Sequence, residues 1–473
     1  MTDQTLSSVA VPLQSTFDAM RALTRAQPAP DWATRADRLR RLRALLLNER
    51  AAITAAIAAD FGQRPRQETE MAELFPTIAG IDHALGHGRR WMRPRRRGTG
   101  LWMQPGKSRL LPQPMGVVGV VVPWNYPLML SAGPLTGALA AGNRVLLKMS
   151  EHAPAFAALF ARLVHQHFAA DEVRVIEGEA DVARAFTALP FDHLLFTGST
   201  QVGHAVMRAA SEHLTPVTLE LGGKSPVVIG PGADLAHAAE RILVGKLLNA
   251  GQTCIAPDYV LLPAGQQDEF VRLAREAMAR LYPDLARNPD YTRIINARQY
   301  QRLTGWLGEA QAAGARVEPL ADVPDDETQR RLTPRLLIDP PASAKLMQEE
   351  IFGPLLPVLP VASVDAAIEH INQRPRPLAL YVFERDRATI NHVLARTTSG
   401  GATVNDTLLH VAQDDLPFGG VGPSGMGAYH GEDGFRTFSH MKPVFLQSRL
   451  AGNGLLKPPY GSLFDRMMGW MIR

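Results

Sequence analysis

GVVGVVVPWNYPLMLSAGPLTGALAAGNRVLLKMSE, residues 116–151, decides the fold of this 473-residue chain. No charged residue falls between Leu110 and Asn143, a stretch longer than a membrane span requires. Pro112, Pro114, Pro123, Pro127 and Pro134 interrupt it, and Trp124-Asn125 sits in its middle, so it does not read as one spanning helix. It reads instead as a buried strand over 116–122, a loop, a buried helix over about 128–141, and a second strand in NRVLLKM, 143–149.

The alternation continues outward. VRVIEG (173–178) and DHLLFTG (192–198) are further strand runs, the second followed by a helix near 200–212. Apolar strands alternating with amphipathic helices predict βαβ units and a parallel sheet of the dinucleotide-binding type. A second α/β segment runs from about 222 to 400, with helices near 233–248, 266–281 and 297–314 and strands near 257–262, 355–361 and 379–383. The first ninety residues are Ala- and Leu-rich helices with Arg35, Arg38, Arg41 and Arg43 on the polar face, and a short hairpin is expected around 100–113. From 401 the chain is Gly-rich until LFDRMMGWMIR (463–473), which reads as a packed or frayed tail, with a membrane surface or a partner subunit as alternatives.

Composition narrows the function classes. At about 150 residues per domain the length gives roughly three lobes, and 46% apolar with 20% charged residues is an ordinary globular balance. The net charge of +4 comes with no basic stripe, so no nucleic-acid partner is expected. The run Arg89, Arg90, Arg93, Arg95, Arg96, Arg97 reads as a solvated face at a helix end. The N-terminus carries Asp3 with neither a basic region nor a long apolar core, so no signal peptide is expected and the cytoplasm is the expected compartment.

Several residues could carry chemistry. Cys254 is the only cysteine, which rules out an intramolecular disulfide and any Cys-based zinc site. It is either a small buried hydrophobe or a reactive thiol, and its place after a glycine-containing break in GQTC favours the thiol. In VTLELGGKSP (217–226), period-two alternation puts Glu220 opposite Val217, Leu219 and Leu221, where partial burial would raise its pKa toward that of a general base. A solvated strand glutamate is the alternative. FTGSTQVG (196–203) passes from a strand into a helix, either an anion site or an ordinary cap at Ser199 or Thr200. Lys148 and Glu151 end a strand where open α/β sheets bind nucleotides, or simply cap the next helix. Glu349 and Glu350 read as strand neighbours facing opposite ways, so they are not a glycosidase pair. The one literal GxGxxG, Gly420 to Gly425, contains Pro423 and lacks a βαβ context, so it reads as a Gly-rich loop.

Taken in order, PWNYP (123–127), LLKMSE (146–151), FTGSTQVG (196–203), LELGGKSP (219–226), GQTCIAPDYVL (251–261), EEIFGP (349–354) and LPFGGVGPSGMGAYHG (416–431) resemble the NAD(P)-dependent aldehyde dehydrogenase superfamily. GQTCIAPDYVL, SGGATVND and GMGAYHG are similar to its class 3 branch. The resemblance covers most of the chain, and one departure is Met149, where the family commonly has proline.

The resemblance implies a fold and a set of roles. The fold would be α/β, with a Rossmann-type cofactor domain (1–99 and 114–221), an α/β catalytic domain (222–408), a small β bridging element (100–113 and 409–450) and a tail (451–473). Cys254 would be the nucleophile, Asn125 and the Cys254 N–H the oxyanion donors, and Glu220 the base that activates water. Lys148 and Glu151 would hold the adenosine ribose, and the turn Gly198, Ser199, Thr200, Val202, Gly203 the pyrophosphate. Glu350 would hold the nicotinamide ribose with Phe352 beside it, while Trp124 and Tyr126 would line the substrate pocket. Glu151 favours NAD, with NADP also open, and no metal is implied. The expected partners are a small aldehyde, aromatic such as coniferyl aldehyde or otherwise hydrophobic, and a second copy of the chain in a homodimer. Alternatives are a medium- or long-chain fatty aldehyde, a CoA-acylating variant that the retained Glu220 argues against, and a non-catalytic protein on the same fold.

Overall fold

The computed structural model describes residues 3–450 and 457–472, with side chains from Leu13 onward; of the expected tail, 451–456 and Arg473 lie outside them. Five parallel strands and one antiparallel edge strand form a first sheet, ordered Gly425–Met426, Val217–Leu221, His193–Gly198, Val117–Val121, Arg144–Lys148, Val173–Ile176. Taken by chain order, the parallel strands lie third, second, first, fourth, fifth from one side. This is the doubly wound arrangement, whose direction reverses between Val117–Val121 and His193–Gly198. Val117, Val118 and Val120 are buried because helices cover both faces, which is why the run reads as apolar without alternation.

The helix Met129–Ala141 that follows the first strand starts under Glu73, whose carboxylate accepts the Leu128 and Met129 N–H groups at 2.8 and 3.2 Å. It ends at Gly142, with φ 95°, where Arg35 donates to the Ala140 and Ala141 carbonyls. Ahead of it, Arg66–Thr69 and Phe75–Trp91 are α-helical, and the five residues between them, Glu70–Leu74, form a π-turn.

The second sheet has seven strands, ordered Arg316–Pro319, Arg335–Ile338, Leu355–Val361, Tyr259–Pro263, Pro226–Ile229, Ala379–Phe383, Gly401–Val404, all parallel except the first. Leu221 leads through Gly222-Gly223 straight into its strand Pro226–Ile229. The carboxyl ends of the first sheet therefore meet the amino ends of the second.

A third, antiparallel sheet joins Arg95–Arg97, Lys107–Pro114 and Ser439–Leu446. Two readings change here. The short hairpin expected around 100–113 is present but begins earlier, its first strand being Arg95–Arg97. Arg95, Arg96 and Arg97 are strand residues beyond the helix that ends at Trp91, with Arg95 ion-paired to Glu432, and are not a solvated helix end. The Gly-rich stretch also holds a short helix, Gly431–Thr437. Within it the segment Gly420 to Gly425 is a tight reverse turn, bridged Gly422 to Gly425, which lays Gly425 (φ 144°) beside Glu220. A Cβ there would stand 2.2 Å from the Leu219 carbonyl oxygen.

Candidate active site

The helix Leu235–Leu247 ends in three consecutive left-handed residues, Asn249 (φ 53°), Ala250 (φ 51°) and Gly251 (φ 78°). A non-glycine residue pays strain there, so neighbours must hold the turn. They do. The Asn249 N–H donates to Glu68 Oε1 at 3.0 Å, and Asn249 Nδ2 donates to the carbonyls of Asn125 (3.0 Å) and Gln252 (3.1 Å). Gln252 Nε2 returns a bond to the Asn249 carbonyl at 2.9 Å. Cys254, partly exposed, is thus presented by a fixed bend and not from inside a helix or strand. Burial pushes its thiol well above the ordinary range, and the carboxylates of Glu350 and Glu220 push the same way, while its own N–H and that of Ile255 oppose them.

Asn125 follows the carboxyl end of Val117–Val121, at the reversal of the first sheet. It is buried, and its side-chain amide donates to the Gln252 carbonyl at 3.2 Å, two residues before Cys254. The next residue, Tyr126, is buried with its hydroxyl 2.6 Å from Thr253 Oγ1. That makes Tyr126 a strut to the cysteine loop. Trp124 is half-buried and packs edge-to-face with Phe352, ring centroids 5.4 Å apart, and tilted on Phe61 at 6.3 Å.

Glu220 is 2% exposed, between Thr197 and Gly425 in the first sheet, and neither carboxylate oxygen has a hydrogen-bond partner among the described residues. Burial alone holds its pKa well above the ordinary value. The burial is complete, beyond the partial burial read from the strand alternation. Glu349 and Glu350 do not share a strand. They follow the short helix Lys345–Gln348 in a loop, where Glu349 is exposed and Glu350 turns its carboxylate onto Gly222. Glu350 Oε1 is buried without a partner, and the group is raised to about 8, first by burial and then by Asp258, against a bond from the Gly223 N–H. Lys224 fixes this loop: it ion-pairs with Asp258 and donates to the carbonyls of Leu346 (2.6 Å) and Glu349 (3.0 Å), while Asp258 Oδ1 accepts the Ile351 N–H at 2.9 Å.

On the first sheet, Ser199 caps the helix Thr200–Ser211 by accepting the Val202 N–H at 3.4 Å. Thr200 Oγ1 donates to the Pro423 carbonyl at 3.3 Å, and Gly203 lies so close to Leu221 that a Cβ would come within 2.7 Å of it. Val202 is exposed, and Gly198 sits over the Phe196 ring. Two strands away, Lys148 is buried, with Nζ on the carbonyls of Met149 (2.6 Å) and Gly178 (2.7 Å). Burial lowers its pKa and Glu151, half-buried beside it, opposes the shift.

The expected residues therefore fall into two groups. Cys254, Glu220, Glu350 and the Asn125 loop converge where the two sheets meet. Lys148, Glu151 and the Gly198–Gly203 turn line the carboxyl ends of the first sheet. Several residues were not singled out from the sequence: Arg64, Glu68, Lys224, Asp258, Lys246 and Tyr429. Lys224, Asp258 and Tyr429 lie inside the quoted motifs, so proximity in sequence was an available signal. Lys246 is buried with no partner for Nζ among the described residues, and burial lowers it to about 8. Tyr429 is buried with Glu220 and Cys254 both raising its pKa after burial.

Residues 4–444 match the model of the aldehyde dehydrogenase family. The chain is 53% identical over 456 residues to a probable coniferyl aldehyde dehydrogenase of Pseudomonas aeruginosa, covering 96% of this chain and 95% of that one. It is 41% identical over 438 residues to aldehyde dehydrogenase family 3 member A2 of Mus musculus, covering 92% and 88%. A solved structure described as the substrate-bound state of Staphylococcus aureus AldH superimposes with a TM-score of 0.92 at 38% identity, covering 97% of this chain and 99% of that one. Among the described residues no helix is long and apolar enough to cross a membrane.

Proposed function

We propose a reaction course from one premise: the chain belongs to the aldehyde dehydrogenase family and is an NAD(P)-dependent oxidoreductase acting on aldehydes. One observation carries the course. The lone thiol shares its surroundings with two buried carboxyl groups, Glu220 and Glu350, each with an oxygen lacking any partner among the described residues.

In this course the Cys254 thiol gives up its proton to solvent, and the Sγ thiolate attacks the aldehyde carbon to give the thiohemiacetal as its oxyanion. The Cys254 N–H and the Asn125 amide donate to the oxyanion, and one such donor lowers a barrier by about 3 kcal/mol. When bound, NAD(P)+ supplies the acceptor for the aldehyde hydride. Cys254 then carries a thioester. Glu220 in its ionised form takes a proton from water, which attacks the thioester carbon; the tetrahedral intermediate expels the Cys254 sulfur, which recovers that proton as the acid leaves. A carboxyl group with a raised pKa is a stronger base than an exposed one, which suits that step.

The residues fit the cofactor. The orphaned Glu350 Oε1 is an acceptor waiting for a hydroxyl, as a nicotinamide ribose would offer, and Phe352 lies two residues on. The Ser199 helix start suits a pyrophosphate. Lys148 keeps one ammonium proton beyond its two backbone bonds, and with Glu151 it would hold the adenosine ribose. An acidic residue after the second strand favours a free 2′-hydroxyl, so NAD is preferred over NADP.

In this reading residues 1–99 and 114–221 bind cofactor, 222–408 carry catalysis, and 100–113 with 409–450 bridge two copies in a homodimer. The edge strand Ser439–Leu446 supports the last point, because it leaves Phe445 and Leu446 exposed. Light scattering at twice the chain mass is the expected result.

The substrate is an aromatic aldehyde of the coniferyl type. The Pseudomonas aeruginosa relative and the Phe61, Trp124, Phe352 aromatic cluster both favour it. Following formation of the reduced cofactor with coniferyl aldehyde and with hexanal tests this. A kcat/KM about tenfold or more higher for the aromatic substrate is expected; a preference for hexanal overturns the substrate assignment.

A further inference from the structure

Arg64 is buried with its side chain 0% exposed, and it takes no part in the reaction course above. Its guanidinium lies between two rings, 5.1 Å from the Phe61 centroid and 4.9 Å from that of Tyr126. Nε donates to Glu68 Oε1 at 3.2 Å, and Nη1 reaches Glu73 Oε1 at 2.9 Å and the Asn125 carbonyl at 3.1 Å. Glu68 and Glu73 are buried as well.

The π-turn makes the double contact feasible. Five residues along an α-helix advance about 500°, which leaves the two side chains on different faces. The wider turn at Glu70–Leu74, where the Phe75 N–H bonds the Glu70 carbonyl, brings positions five apart closer to one face. Both carboxylates then meet one guanidinium.

The far ends of the Glu68 and Asn125 bonds lie in the candidate active site. Glu68 Oε1 also accepts the Asn249 N–H (3.0 Å) and the Thr292 hydroxyl (3.1 Å). Asn249 Nδ2 donates to the same Asn125 carbonyl that Arg64 holds. Asn125 and the turn before Cys254 are therefore tied together directly, by Asn249 Nδ2 on the Asn125 carbonyl and by the Asn125 amide on the Gln252 carbonyl, and again through Arg64 and Glu68. Glu73 fixes the chain just beyond, at Leu128 and Met129.

We propose that Arg64, acting with Glu68, is a positioning residue that sets the Asn125 amide relative to Cys254. The inference rests on the oxyanion role assigned to Asn125 above. Lysine in place of Arg64 keeps the charge but lacks the planar fork that donates to Glu68 and to the Asn125 carbonyl in different directions while ion-paired to Glu73.

The test is a double-mutant cycle on the full-length enzyme, read as the rate of the first burst of reduced cofactor. Arg64→Lys is expected to slow the burst about tenfold, since small misplacements near the reacting atoms cost that much or more. The cofactor KM stays within about twofold. Asn125→Ala slows it further, and adding Arg64→Lys to Asn125→Ala changes the burst by less than about twofold, because the clamp has nothing left to position. Multiplying losses in the double variant overturn the proposal while leaving the oxyanion role standing. An unchanged burst in Asn125→Ala overturns the oxyanion role and the clamp with it. If Arg64→Lys does not fold, Glu68→Gln takes its place in the same cycle. Failure of both variants to fold makes the cluster a stability element only and overturns the positioning role.

Discussion

A Cβ on Gly222 would stand 1.8 Å from Glu350 Oε2, so the carboxylate rests in space that only glycine leaves open. Gly222 lies in the crossing from the first sheet to the second, two residues after Glu220. The two carboxyl groups beside the thiol thus meet at one end of one short linker, Glu220 on the strand before it and Glu350 against its first two glycines.

Gly222→Ala follows from that contact. The clashing atoms are the far end of a flexible side chain, so the variant should fold with little loss of Tm. Glu350 must leave its resting place, and NAD binding should weaken about fivefold, ~1 kcal/mol, measured by fluorescence titration. Unchanged NAD affinity would contradict the ribose role given to Glu350.

Glu350 also makes stability depend on pH. Its folded pKa is raised from 4.5 to about 8, so the folded chain binds this proton more tightly than the unfolded chain does. That contribution is fully present below the ordinary glutamate pKa and is lost as pH rises through about 8. Glu350→Gln removes the loss. Its Tm advantage over the wild type should grow from pH 5 to 8 and then level off, and a constant difference across that range would show the carboxyl is not held protonated.

Cys254 offers a direct readout because it is the sole thiol. With its pKa raised by burial and by two carboxyl groups, alkylation by iodoacetamide in the absence of cofactor should climb roughly tenfold per pH unit from pH 7 to 9 without a plateau. A plateau in that range would place the thiolate pKa lower. Cys254→Ser should cut kcat by about a thousandfold or more while NAD still binds.

Glu220→Gln separates the two halves of the reaction. The first burst of reduced cofactor should survive at close to one equivalent, and turnover should then stop with the thioester detectable by mass spectrometry. Wild-type turnover in this variant would remove Glu220 from the role of base.

The sheets were legible because Val117–Val121, Arg144–Lys148 and His193–Gly198 are short apolar runs set between helices, a pattern that burial on both faces produces. Cys254 stood out because Gly251 breaks the preceding helix, although nothing local announced that Asn249 and Ala250 also turn left-handed. EEIFGP has no turn signal before its glycine, so Glu350 reads as a strand residue in sequence, whereas the loop it occupies is shaped by Lys224 and Asp258 from distant segments. Arg64 was illegible for the same reason. Its partners Asn125 and, through Glu68, Asn249 lie 61 and 181 residues from the residues that bond them, and no periodicity spans such separations. A lone Arg in the loop before Arg66–Thr69 and Glu residues in the turns after that Arg give no sign of a buried cluster.

The strand that carries Glu220 keeps an open edge until Gly425 and Met426 pair with it. These residues leave the ribosome roughly 10 to 40 seconds after Leu221, at about 5–20 residues per second. Asn125 and the Gly198–Gly203 turn precede Leu221 and Cys254 follows it by 33 residues, so for most of that interval the nascent chain holds all of them while Glu220 has no wall on one side. The wall beside Glu220 is therefore completed last, and a chain released early exposes the strand edge that Gly425 and Met426 cover in the finished fold.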